Sequence, residues 1–191
     1  MQDFSFYFGL GWHHIISASA LDHILFIVVL AAVYLLTDWK KVLVLVTAFT
    51  LGHSVTLALS VFDIIRFDSK WVEFLIPCTI VITAVSNLFQ HKFVTRSVQI
   101  NYYLALFFGL IHGMGFANAL RFMLAKDESM GVSLLAFNLG LEAGQVLIVF
   151  ILLLLAHIMK LTFRVPRREW IIFLSAAVFS LALQMAVQRI P

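Results

Sequence analysis

Six apolar runs, at about 11–36, 41–62, 71–90, 100–124, 131–160 and 170–188, approach or exceed the ~20 residues a helix needs to cross a bilayer. The pattern predicts an all-α integral membrane protein with six transmembrane helices in a single domain spanning residues 1–191. Composition points the same way. With 62% hydrophobic and 12% charged residues and a mean hydropathy of +1.02, the chain has too little polar surface to coat a water-soluble globule. The alternative, a buried helical core in a soluble protein, is disfavoured by hydropathy over windows of this length.

The charges gather in the breaks: Asp38-Trp39-Lys40-Lys41, Asp63 to Lys70, His91 to Arg96, Lys126-Asp127-Glu128 and Lys160 to Glu169. These loops are too short for a soluble domain. The net charge of +3 is compatible with a nucleic-acid partner, but the basic residues form no stripe with aromatic platforms, so no such partner is expected. They read instead as topology signals. Lys40, Lys41, Lys92, Arg96, Lys160, Arg164, Arg167 and Arg168 lie in the odd-numbered loops, against Arg66, Lys70, Arg121, Lys126 and Arg189 on the other side. The positive-inside rule then puts both termini on the non-cytoplasmic side. Nothing before Lys40 is basic, so the positive n-region of a cleavable signal peptide is not expected. Trp39, Trp71 and Trp170 flank apolar runs, as interfacial aromatics do. The lone Cys78 permits neither an internal disulfide nor a thiolate cluster.

Within the runs stand groups that hydrocarbon tolerates poorly. His23, His53, His112 and Glu142 each lie inside a spanning segment, with Asp22 beside the first, and such residues mark functional sites. Histidine with carboxylate is also a ligand set for divalent transition metals. Asn138, Glu142 and Gln145 share one stripe of a helix, and Thr50, His53 and Ser54 share another. His14 precedes Asp22 by eight residues, about 12 Å along a regular helix, which makes it an entrance ligand unless Ser17-Ala18-Ser19 breaks that helix.

Each of these has a plainer reading. A single intramembrane His commonly bonds a carbonyl of a neighbouring helix, Thr and Ser commonly link helices, and glycine pairs such as Gly140 and Gly144 let backbones approach. Glu142 resists that reading, because no Lys or Arg stands at its depth to pair with it. His13, His91, His157 and Glu73 are expected at interfaces, and Asn87 as a helix-linking residue or a donor behind the site. The six methionines are scattered and form no soft-metal path.

An internal repeat adds architecture. Ala48-Phe49-Thr50-Leu51-Gly52-His53-Ser54 matches Ala136-Phe137-Asn138-Leu139-Gly140-Leu141-Glu142 at an offset of 88, with Leu59 matching Leu147. Leu21-Asp22-His23 aligns with Leu110-Ile111-His112 at an offset of 89, and Trp71-Val72-Glu73-Phe74-Leu75 begins like Trp170-Ile171-Ile172-Phe173-Leu174. Three helices repeated in tandem must insert the second copy upside down, so a 3+3 inverted repeat is expected, about 9–90 and about 100–188.

Four ordered motifs carry a resemblance over essentially the whole chain: Gly11-Trp12-His13-His14-Ile15 followed by Asp22-His23-Ile24-Leu25-Phe26; Phe49-Thr50-Leu51-Gly52-His53-Ser54-Val55-Thr56-Leu57; Phe108-Gly109-Leu110-Ile111-His112-Gly113-Met114-Gly115-Phe116-Ala117; and Phe137-Asn138-Leu139-Gly140-Leu141-Glu142-Ala143-Gly144-Gln145. These resemble the HupE/UreJ family of bacterial membrane proteins, described as accessory proteins of hydrogenase and urease and as permeases for nickel or a related divalent metal. The resemblance implies an inner-membrane location, metal-enzyme maturation partners, and metal-handling roles for His14, Asp22, His23, His53, His112 and Glu142.

The two lines combine into one expected function: a permease in which a divalent cation exchanges water for the imidazoles of His23, His53 and His112, with its charge offset by Asp22 and Glu142. Thr50, Ser54, Asn138 and Gln145 would support those ligands. The donor set accommodates nickel, cobalt, zinc, manganese or ferrous iron, and the resemblance favours nickel. The rival reading is an intramembrane metal-dependent hydrolase with a His-bound metal and Asp22 or Glu142 as general base. It lacks a lid for substrate capture. A metal sensor or chaperone-like partner is a third reading, for which the chain offers no soluble interaction module.

Overall fold

A computed structural model of the protein describes residues 2–17, 20–89, 98–124 and 130–191. These form α1 (Gln2–Ile16), α2 (Leu21–Ala31), a 3-10 turn (Leu36–Asp38), α3 (Trp39–Val61), α4 (Ser69–Leu88), α5 (Val98–Leu124), α6 (Met130–Thr162) and α7 (Arg167–Gln188). The breaks expected at His91 to Arg96 and at Lys126 to Glu128 lie outside the described residues, as do Ala18 and Ser19.

Local chemistry sets several of the helix ends. The Asp68 carboxylate accepts from the Lys70 backbone N–H at 3.0 Å and caps the start of α4. Asp38 pairs with Lys41 at 2.7 Å where α3 begins. Past the end of α2, the Arg167 guanidinium donates to the Val33 carbonyl, placing positive charge where a helix leaves its carbonyls unpaired.

Four stretches are long and apolar enough to cross a membrane: Leu36–Val61, Ser69–Leu88, Met130–Thr162 and Arg167–Gln188. A fifth results if α1 and α2, whose axes diverge by 68°, are one broken span. The expectation was six. α5 has the length of a span at 27 residues, although its fully described part, 101–117, is shorter than one. Outward-facing Phe107, Leu135, Phe150 and Phe173 are more than half exposed, an apolar exterior suited to a multi-pass protein in lipid.

The helices associate in pairs, α3 with α5, α1 with α6 and α4 with α7, and α2 lies against α4, α6 and α7. Two of these contacts share one design. A Cβ added at Gly52 would strike the Leu106 carbonyl, and one at Gly109 would strike the Phe49 carbonyl. In the other pair, a Cβ at Gly140 would strike the Phe8 carbonyl, and one at Gly11 the Phe137 carbonyl. Glycine is required at these four positions because backbone meets backbone without hydrophobic driving force to spare. Gly113 then meets His53 and Thr56 one turn after Gly109 meets Phe49, so α3 and α5 advance together and pack in parallel.

Phe49 and Phe137, like Gly52 and Gly140, are 88 residues apart, which matches the sequence offset for those helices. Their partners follow a different register from the expected one. Leu106 and Phe8, like Gly109 and Gly11, are 98 residues apart, so α5 corresponds in packing to α1 and not to α2. The glycine crossings thus pair Gly11 with Gly109, a register different from the alignment of Leu21-Asp22-His23 with Leu110-Ile111-His112. The break between α1 and α2 divides the first apolar run into two arms, and only the first makes the glycine crossing.

Candidate metal centre

The break that divides the first run also builds the site. It turns α2 so that His23 approaches His14, their ring centroids 5.0 Å apart, although eight residues and about 12 Å separate His14 from Asp22 along a straight helix. His14 is thus a member of the cluster, the outcome foreseen if the helix broke near Ser17. His23 is the hub, with its ring centroid 5.9 Å from that of His53 on α3 and 5.0 Å from that of His112 on α5. One ring nitrogen from each of His14, His23 and His53 lies within 4.8 Å of the others.

These imidazoles are deeply placed. His53 and His112 have no exposed surface and His23 has 4%. Phe26 and Phe49 stack 5.0 Å apart beside His112, while Phe116 and Phe137 stack 5.2 Å apart and lie against His14, Phe116 at 4.1 Å between centroids. Sequence reasoning did not assign these phenylalanines to the site. A signal was present for two of them, since Phe49 and Phe137 fall in the matching stretches Ala48–Ser54 and Ala136–Glu142.

The hydrogen bonds fix which nitrogens are free. His112 Nδ1 lies 2.9 Å from the Phe108 carbonyl, which only accepts, so Nδ1 carries the proton and Nε2 presents a lone pair. His23 Nδ1 lies 3.0 Å from Asp22 Oδ1, and the same oxygen accepts from the His23 backbone N–H at 2.9 Å. An ionised carboxylate in that place holds the proton on Nδ1 and again leaves Nε2 free. Among the described residues, the buried polar atoms without a hydrogen-bond partner include Nε2 of His14, His23, His53 and His112, Nδ1 of His53, and Oδ1 of Asn138. Each unsatisfied buried group costs about 1–3 kcal/mol, so native interiors seldom gather them in one place. Imidazole lone pairs collected this way suit a borderline divalent metal, whose bonds to His nitrogen are about 2.0–2.1 Å long.

The remaining expected residues fall into two groups. Asp22 does not join the three nitrogens; it stands behind His23, with its second oxygen 3.6 Å from Arg189 Nη1. Asn138 donates from Nδ2 to the Leu134 carbonyl at 2.9 Å within α6. Thr50 donates to Gln145 Oε1 at 2.9 Å and so ties α3 to α6, and Ser54 bonds back to the Thr50 carbonyl at 2.7 Å. The first contact links two helices, and the second stays within α3.

Glu142 lies apart from the imidazoles. Its Oε1 accepts from Thr47 at 2.6 Å on the outer side of the α3–α6 contact. The shared helical stripe of Asn138, Glu142 and Gln145 is broad enough that its members meet different neighbours. Asn87 links helices as expected, donating to the Val29 carbonyl at 2.8 Å and toward Ser175 Oγ at 3.3 Å. His13, His157 and Glu73 are exposed, and His91 lies outside the described residues.

A search of curated proteins and of solved structures finds no match to this chain. A family profile does match, described as HupE / UreJ protein, over residues 1–189. With a helical, multi-pass architecture and a buried histidine cluster, and with that profile covering essentially its whole length, the chain belongs to the HupE/UreJ family.

Proposed function

We propose that this protein is a permease for a divalent transition-metal ion, with nickel as the cargo its family favours and cobalt, zinc, manganese or ferrous iron chemically admissible. The observation that carries the reading is the set of partnerless imidazole nitrogens around His23. His14, His23 and His53 would take the ion together, and His112, adjacent to His23 but outside that trio, would receive or deliver it. Two partly overlapping positions sharing one ligand allow an ion to be passed on without being stripped of all its ligands at once. Neutral ligands suit a transported ion, since a thiolate or several carboxylates would hold it more tightly.

The same reading extends to the frame. Parallel packing of α3 with α5 and of α1 with α6 is what six alternating spans would produce, with α1 and α2 as one broken span. The two glycine crossings support a 3+3 inverted repeat, and a broken helix beside the site is usual in such transporters. The protein would reside in a bacterial inner membrane with both termini outside the cytoplasm.

The test is uptake of Ni2+ or Co2+ into metal-free proteoliposomes. The wild type should accumulate the ion, and His53→Ala and His23→Ala should not. Equal uptake by all three would overturn the assignment. A protein that instead keeps one equivalent of metal through purification and releases a product in detergent would be the intramembrane hydrolase.

A further inference from the structure

We infer that Arg189 is a cation latch on the histidine cluster: its guanidinium occupies the Asp22 oxygen that a passing metal ion would otherwise use for charge compensation. This rests on the metal-ion reading above and adds a residue outside the cluster that sets its affinity.

The geometry divides the Asp22 carboxylate cleanly. Oδ1 is committed to residue 23, accepting from its backbone N–H at 2.9 Å and from its Nδ1 at 3.0 Å. Oδ2 faces Arg189 Nη1 at 3.6 Å, too long for a hydrogen bond and close enough for an ion pair. The Asp22 side chain is 15% exposed and that of Arg189 is 33% exposed, so the pair stands between the buried cluster and the surface.

The backbone holds Arg189 there. It caps α7, its N–H bonding the carbonyls of Met185 at 3.1 Å and Ala186 at 3.2 Å. Only the side chain remains free to swing. Asp22 sits in the first turn of α2, where the helix dipole already favours a negative charge, so the carboxylate persists without the arginine.

Charge bookkeeping then gives a direction. With Arg189 in place the Asp22–Arg189 pair is neutral, and a divalent ion at His23 gains little net attraction from it. Without Arg189 the ion faces an uncompensated carboxylate directly behind His23, in partly buried surroundings where charges interact more strongly than in water. An arriving ion and the guanidinium therefore compete for one anion, and return of the arginine would help to expel the ion.

The experiment is Co2+ titration of the full-length protein in detergent, followed by visible absorption and thermal melting. Arg189→Gln should bind Co2+ about tenfold more tightly or better, with an unchanged cobalt spectrum, and should release Co2+ to a chelator more slowly. Arg189→Lys, which keeps the charge, should stay near the wild type. A purely structural role would instead weaken binding and lower the melting temperature in Arg189→Gln. If Arg189→Gln does not fold, Arg189→Met removes the same charge and carries the same expectation. Unchanged or weaker binding in a folded, charge-free variant overturns the latch alone, whereas failure of the wild type to bind Co2+ overturns the metal-ion reading with it.

Discussion

His14 and His112 occupy the same place in two crossings of one design: each follows by three residues a glycine, Gly11 or Gly109, that lies on the carbonyl of a phenylalanine, Phe137 or Phe49. The crossing partner also supplies a ring to the site, since Phe137 lies against His14 and Phe49 against His112. Helix contact and site geometry are thus one feature. The depth at which each imidazole enters the cluster is set by how closely two backbones approach a turn away.

Gly11→Ala and Gly109→Ala should accordingly affect both stability and the site. A Cβ at either position meets a backbone carbonyl, which cannot rotate aside, so the helices must separate at a cost of about 1–3 kcal/mol, as for overpacking elsewhere. Gly9→Ala and Gly131→Ala, where a Cβ meets nothing, serve as controls. Thermal melting in detergent should drop for the first pair and not for the second. Co2+ affinity should fall with it; an unaffected affinity in a destabilised Gly109→Ala would uncouple the crossing from the cluster.

Asp22→Asn tests the carboxylate behind His23. Asparagine can still accept through its oxygen, so the ring can keep its orientation while losing the negative charge that makes Nε2 a better donor. Metal affinity should weaken about 10- to 100-fold, the usual loss for a residue that orients a metal-binding histidine, with little change in melting temperature. Isothermal titration with Ni2+ or Co2+ reads the first and thermal melting the second. An equal loss in Asp22→Asn and His23→Ala would mean that Asp22 touches the ion itself.

Much of this site is legible in the chain. His23, His53, His112 and Asp22 announce themselves because ionisable groups are costly in hydrocarbon, and hydropathy finds the helices that carry them. What hydropathy cannot see is a change of direction. The run from Gly11 to Leu36 reads as one apolar segment, yet it contains two helices inclined at 68°, and that angle decides whether His14 reaches His23. The same bend puts Gly11 and His14, and not His23, on the arm that makes the glycine crossing. Helical spacing is similarly blunt around the axis: it puts Asn138 and Glu142 on one stripe, yet Asn138 is buried and bonds back to the Leu134 carbonyl while Glu142 reaches Thr47 on the outer side. Arg189, 167 residues from Asp22 in the sequence, gives no sign in the chain of its contact with that carboxylate.

Thr50→Val should reveal how much the tie between α3 and α6 contributes. The hydroxyl donates to Gln145 Oε1, and Gln145 is 1% exposed, so its amide oxygen would lose this partner in a buried setting. Interhelical hydrogen bonds in membrane proteins contribute about 0.6 kcal/mol on average and about 1.7 at most. Unfolding should become easier by that amount, measured by denaturant in mixed micelles, while Co2+ affinity stays within about threefold because RT ln 3 is small beside the ligand bonds. A larger affinity loss would place Thr50 at the ion.

Glu142→Gln separates the carboxylate from the cluster. Glu142 accepts from Thr47, and none of the three converging nitrogens belongs to its helix. Glutamine keeps an acceptor oxygen for Thr47 and removes the charge, so Co2+ binding in detergent should remain within about threefold of the wild type and the cobalt spectrum should not change. Transport is a different matter. An ion leaving neutral imidazoles for water gains from any carboxylate along its way, so if Glu142 lines that way, proteoliposome uptake should fall although equilibrium binding does not. Binding and uptake lost together would instead bring Glu142 into the ligand set and require the α3–α6 contact to rearrange when the ion is bound.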